Sequence, residues 1–346
     1  MKALPAIVDP VYQEPQTFTA YEKFALRFLN DKKDIPFLHL VTFIMLTVFP
    51  MAILLYTPLI DGIWWWLLYA LFFFISGIRL RGPFGLMYHN IAHRRLFRKK
   101  YNILNQFVTW IIAPFFGHSP ESYVSHHVGM HHVENNNKDD GSSTLYYNRD
   151  NPWHFIEYYL RFMVHGFWDL FVYLFTRKKK KYYVPLSFGE ILFLLFMVLM
   201  SFVNLKATLM IFIIPFIIGR LIMMLGNWTQ HAFADPNDPE NMYRNCYNCI
   251  NTPYNVKCWN DGYHLIHHLK PGLHYTEMPK EFLRLTDKIA AEKSLVFEGI
   301  HYLHLFGYLM TKRYDKMADK LVNINQSFSS KEEAIRILKE RTRKVY

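Results

Sequence analysis

The chain's 17 histidines are unevenly spread, and three clusters stand out: His89 and His93; His126, His127, His131 and His132; His264, His267 and His268. On a helix, residues three and four apart share a face, so 89/93, 127/131 and 264/267/268 each present imidazoles in one direction. Neutral imidazole is the commonest metal ligand and suits iron, copper, nickel or zinc. His89, His93, His127, His131, His132, His264, His267 and His268 exceed what one metal uses and suffice for two with open positions. His126 and His127 compete for one role; His127 is preferred because it lies four residues before His131.

His231 is a further candidate. Arg220, Met224, Asn227 and His231 step along one helical face, so a helix leaving an apolar block would carry Asn227 and His231 toward the cluster. Asn227 would then hold a metal-bound water, while Arg220 reads as a snorkelling interface residue. His39, His154, His165, His301 and His304 lack partners at ligand spacing and read as structural. Asp261 is a candidate to orient an imidazole from behind, as is Asp139 or Asp140, although the latter two read first as solvated loop carboxylates. Cys246 and Cys249 form a C-x-x-C with Cys258 nearby, but a zinc ribbon needs a second such pair, so these read as incidental reduced thiols.

The elements that must position these residues follow from composition. With 346 residues, 51% hydrophobic and a net charge of +11, the chain is neither disordered nor acidic. Its apolar residues gather in blocks near 37–56, 63–80, 186–203 and 207–226, and about 20 helical residues cross a hydrocarbon core of about 30 Å. The short links at 57–62 and 204–206 join them in pairs. The expected fold is an all-α, multi-pass integral membrane protein: four transmembrane helices in two hairpins, with a cytoplasmic helical cap carrying a histidine-rich dimetal site. Residues 1–36 would form an N-terminal interfacial segment, 37–285 the membrane domain and 286–346 a cytoplasmic helical tail. No cleavable leader is expected.

Lys and Arg concentrated in 81–185 put the histidines and both termini on the cytoplasmic side. Residues 104–116 are too short to cross and read as interfacial or re-entrant. In 152–174, Glu157, Arg161, His165 and Asp169 recur at helical spacing, which predicts an amphipathic helix lying on the membrane. The basic runs 94–100 and 177–181 serve orientation or bind phosphate groups.

The sequence resembles the membrane fatty acid desaturase family. HNIAH at 89–93, HVGMHH at 127–132 and HLIHH at 264–268 fall within that family's three-box pattern. The run from Asn227 to His231 looks like its extra Asn-x-x-x-His, and HHLKPGLHYTEMP from His267 looks like the stretch following its third box. The likeness covers roughly residues 35–285 in order and topology. The second box has three residues before its histidine pair, where acyl-CoA desaturases usually have two, and Lys270 stands where many members have an aromatic. The resemblance implies two iron ions as a di-iron centre, dioxygen as co-substrate, and removal of two hydrogens from a fatty acyl chain carried on lipid, coenzyme A or acyl carrier protein. No His-Pro-Gly-Gly or ferredoxin cysteine set occurs, so an external electron donor of ferredoxin or cytochrome b5 type is expected. Nucleic acid is not an expected partner. The runner-up is a di-iron lipid hydroxylase or monooxygenase, followed by a zinc-dependent membrane hydrolase.

Overall fold

An apolar segment has only its own backbone to hydrogen-bond with, and a helix satisfies that backbone from within. The computed structural model describes residues 1–346 and is mostly helical. Three helices are long and apolar enough to cross a membrane: Lys32–Tyr56, Gly62–Arg79 and Lys180–Gln230. The four expected blocks therefore fall within three helices, the last two blocks merging into one of 51 residues. Its helical dihedrals break at Asn204 (φ −156°, ψ 97°), where the side-chain oxygen accepts from Ala207 N at 3.0 Å. Asn204 thus supplies bend and N-cap together, which shrinks the expected three-residue link.

The chain divides into two compact units. One comprises Tyr12–His127 and Leu174–Arg220 and contains the helices of highest hydropathy. Here α1 (Ile35–Tyr56) takes Pro36 in its first turn, where no donor is missed, and α2 (Gly62–Phe72) starts on Gly62 at φ +49°. Wider turns carry α2 through Arg79 to α3 (Arg81–His93). The Lys206 ammonium lies 3.8 Å from the Trp65 ring centroid, and Tyr56 Oη lies 2.8 Å from Thr208 Oγ1. The stretch expected at the interface is α4 (Asn102–Phe107), extended helically to Phe116. Its Val108, Ile112, Ala113 and Phe116 are buried, so one face is core. After Gly117 (φ +86°) the chain turns into α5 (Ser122–His126).

The other unit comprises Met1–Val11, Val128–Tyr173 and Leu221–Tyr346. Most of α6 (Pro152–Thr176) lies here. It buries Phe155 and Tyr158 while Trp153, Ile156, Leu160, Val164 and Trp168 stay exposed, so two of its faces are apolar. The long kinked helix consists of α7 (Lys180–Thr208) and α8 (Ile214–Gln230), and the end of α8 belongs to this unit. Beyond it the chain departs from all-α. Strand β1 (Asn248–Ile250) pairs in parallel with β2 (Val296–Glu298), in the register Asn248↔Val296. Cys246 and Cys249 are buried and unbridged. Cys249 belongs to a core with Phe233, Tyr247, Phe297, Tyr302, Leu305 and Leu338.

That core recruits residues 295–338, so the segment expected as a tail is folded into this unit. The stretch 1–36 is likewise divided. Met1–Val11 belong here, and buried Asp9 accepts from Asn251 N (2.7 Å) and Tyr263 Oη (2.6 Å). Between β1 and β2 in sequence, the third histidine cluster sits on a short helix, α9 (His264–Leu269), and α10 (Tyr302–Met310) follows β2.

Candidate metal centre

The Tyr12–His127/Leu174–Arg220 unit brings together three of the expected ligands. His89 and His93 lie one turn apart on α3, with rings 5.8 Å apart. His127, just past α5, lies 4.4 Å from the His89 ring and 5.0 Å from that of His93. Tyr123 stacks on His127 at 5.2 Å and 21°, which fixes the plane of that imidazole. His126 is buried beside it. His118 was assigned no role from sequence; it packs 5.4 Å from Tyr88 and 5.6 Å from Tyr123. Burial, aided by the Arg81 and Arg220 guanidinium groups, pushes its imidazole down to about 3, so it stays uncharged.

The other unit gathers His131, His132, His231, His264, His267 and His268. His231 Nε2 lies 3.1 Å from His264 Nε2 and 3.3 Å from His131 Nε2, and His132 Nε2 lies 2.9 Å from His267 Nε2. His268 stacks on His132 at 4.4 Å, and its ring is 4.5 Å from that of His264. The outer nitrogens are held from behind. His131 Nδ1 donates to Asp140 Oδ2 at 2.7 Å, and His268 Nδ1 donates to Asn135 Oδ1 at 3.2 Å, which turns each Nε2 inward. Buried His268 Nε2 has no hydrogen-bond partner.

Electrostatics agree with the geometry. Burial, then the neighbouring His131, pushes His231 down to about 3, and burial with the surrounding imidazoles holds His268 well below its usual value. Uncharged imidazoles with converging lone pairs are what a divalent cation requires. His231, His264 and His268, with Cys246, are close enough to hold an ion. This residue set fits a metal of imidazole preference, iron included.

Sequence reasoning missed several residues here. Cys246 Sγ lies 3.6 Å from His231 Nδ1, so this thiol is not incidental to the site. Asn135 and Asn136 both adopt left-handed backbone (φ 51° and 64°), a conformation Asn tolerates, and the Asn run at 135–137 was the available signal. Asn136 is fully buried, donates its backbone N–H to Asp140 and bonds both Thr144 and Asn245. Of the three carboxylates considered as orienting groups, Asp140 reaches the candidate His131 directly, whereas Asp261 accepts from Gln230 (3.2 Å) and Tyr254 (2.7 Å). Asp139 is exposed. Asn227 Nδ2 donates to Ser142 O (2.9 Å) and Tyr158 Oη (2.7 Å). Arg220 is corrected: it does not snorkel but pairs with Glu190 at 2.6 Å, its side chain only 12% exposed, because a carboxylate one helix away compensates its charge.

Three helices long and apolar enough to cross a membrane, together with histidine groups that could hold a metal ion, define the class to which the fold and site belong. Residues 13–299 match the model of the fatty acid desaturase family, and the chain belongs to that family. It is therefore an oxidoreductase of the desaturase type, acting on fatty acyl chains. No curated protein and no solved structure matches it.

Proposed function

We propose that the chain is an oxygen-dependent fatty acyl desaturase that introduces a carbon–carbon double bond through two iron ions. His89, His93, His127, His131, His132, His231, His264, His267 and His268 would be the ligands, and Asn227 would hold a metal-bound water. The observation that carries this is the inward convergence of buried Nε2 atoms on imidazoles held from behind by Asp140 and Asn135. Bound there, the metal pair supplies the dioxygen chemistry that attacks an unactivated alkyl chain, which no side-chain base can deprotonate.

The residues of the chain do the rest. Asp140 and Asn135 keep each imidazole in one tautomer, and the uncharged state of His231 and His268 keeps their lone pairs open. The aromatic wall of Tyr147, Phe155, Tyr158 and Trp228 beside Asn227 excludes water from that side. In this reading the long helix makes two spans about Asn204, giving four in two hairpins with the histidines on the cytoplasmic side. Electrons come from a separate carrier protein of ferredoxin or cytochrome b5 type.

The test is mass spectrometry of total lipids from aerobic cells expressing the chain with a compatible donor, set against His267→Ala, with metal content measured alongside. Acyl chains lacking two hydrogens, absent in the variant, are expected with about two irons per chain. Chains gaining one oxygen would replace the desaturase by a hydroxylase; one zinc and oxygen-independent activity would overturn the oxidative reading.

A further inference from the structure

Glu190 and Arg220 lie in the apolar helix that runs from Lys180 to Gln230, and neither belongs to the histidine set. Each follows a glycine. A Cβ on Gly189 would sit 2.0 Å from Pro120 O, and one on Gly219 would sit 2.9 Å from Phe116 O. A Cβ on Gly117 itself would sit 2.0 Å from Pro215 O. The loop from Phe116 to Glu121 is therefore sunk into two glycine notches. The charged pair closes over it: Arg220 Nη2 meets Glu190 Oε1 at 2.6 Å, and Ser119 Oγ bonds the other Glu190 oxygen. Ser119 Oγ also reaches Ser122 Oγ at 2.9 Å, at the start of α5.

Both histidine-bearing elements of this unit are fastened to the same loop. On one side Arg81 Nη1 donates to Phe116 O at 2.9 Å, and the Phe116 ring stacks on Phe84 at 4.1 Å, one and a half turns before His89 on α3. On the other side α5 presents Tyr123, stacked on His127, and Ser125 Oγ donates to Tyr182 O at 3.1 Å. Ionic groups in such apolar surroundings are costly unless matched, so deleting one partner leaves the other uncompensated.

We propose that Glu190 and Arg220 are positioning residues that hold the Phe116–Glu121 loop and thereby set the mutual geometry of His89, His93 and His127. This rests on the metal-binding reading above. The loop transmits their effect.

The test uses the full chain purified in detergent, stripped of metal and titrated with cobalt(II), whose visible d–d bands report coordination number and geometry. Glu190→Gln and Arg220→Lys are expected to keep the helical circular dichroism, weaken cobalt binding at least tenfold at part of the sites and alter band intensity. Gly189→Ala moves the loop while leaving both charges in place, and the same spectral change is expected from it. If Glu190→Gln fails to fold, Arg220→Lys, which retains the charge but loses the forked geometry, and Gly189→Ala still decide the matter. Variants that melt earlier yet show the wild-type cobalt spectrum and affinity would reduce the pair to a structural role and overturn the proposal. Wild-type chain that binds no cobalt would instead overturn the metal reading on which it rests.

Discussion

At the residue scale, the site separates imidazoles held by a charge from those held by neutral partners. Asp140 accepts from His131, while Asn135 accepts from His268. Asp140→Asn keeps the size and an oxygen but loses the charge, and metal affinity is expected to fall about 10- to 100-fold in a cobalt titration. Asn135→Gly keeps the left-handed backbone at φ 51° without strain, so any loss of affinity there reports the missing acceptor alone. Acid should destabilise the metal-free chain. His231 is uncharged when folded, its value pushed to about 3, and gains a proton once unfolded below about 6.5, so stability present above about pH 6.5 is lost as pH falls toward 3. By pH 5 this one group costs about 2 kcal/mol, visible as a falling melting temperature between pH 7 and pH 5 in detergent. The three clusters were legible in the spacing of their imidazoles; the His127 ring lies against those of His89 and His93, whereas His131, whose four-residue spacing selected His127, belongs to the other unit and residues 127–131 form a wider turn than an α-helix. Asn135 and Cys246 were not legible, because their roles depend on a left-handed turn and on the return of the chain that brings residue 246 beside residue 231.

At the element scale, hydropathy revealed the long helices but not what they close upon. Residues 104–116 read as interfacial because thirteen residues cannot cross a membrane, yet Phe116 and the loop after it pack on glycines at 219 and 189, far away in sequence. Gly117→Ala combines an unfavourable φ of +86° with a Cβ that would lie 2.0 Å from Pro215 O. It should destabilise the chain by about 2 kcal/mol or more, read as an earlier thermal transition in detergent. On α6 the exposed row of Trp153, Ile156, Leu160, Val164 and Trp168 fits a helix lying at the lipid surface. A fluorophore at Val164 should be quenched by brominated acyl chains, and the double change Leu160→Lys, Val164→Lys should abolish quenching at a neighbouring labelled position. The strand pair escaped sequence reading for a simpler reason: three residues per strand are too few for alternation to emerge.

At the scale of the whole molecule, residues distant in sequence share one unit. Met1–Val11 lie with Leu221–Tyr346, and Asp9 meets Tyr263, the residue before His264. A chain lacking residues 2–11 leaves the buried Tyr263 hydroxyl and Asn251 N–H without this acceptor, at about 1–3 kcal/mol each. Lower melting temperature and weaker cobalt binding are expected, with Asp9→Asn showing a smaller version of both. The order of the chain also governs its biogenesis. Because the nitrogens that converge on His231 come from positions as far apart as His131 and His268, a ribosome must translate past the third cluster before any ion can find them together. On the metal-binding reading, loading would be a late event that follows synthesis of His268, and cells short of metal would accumulate full-length apoprotein.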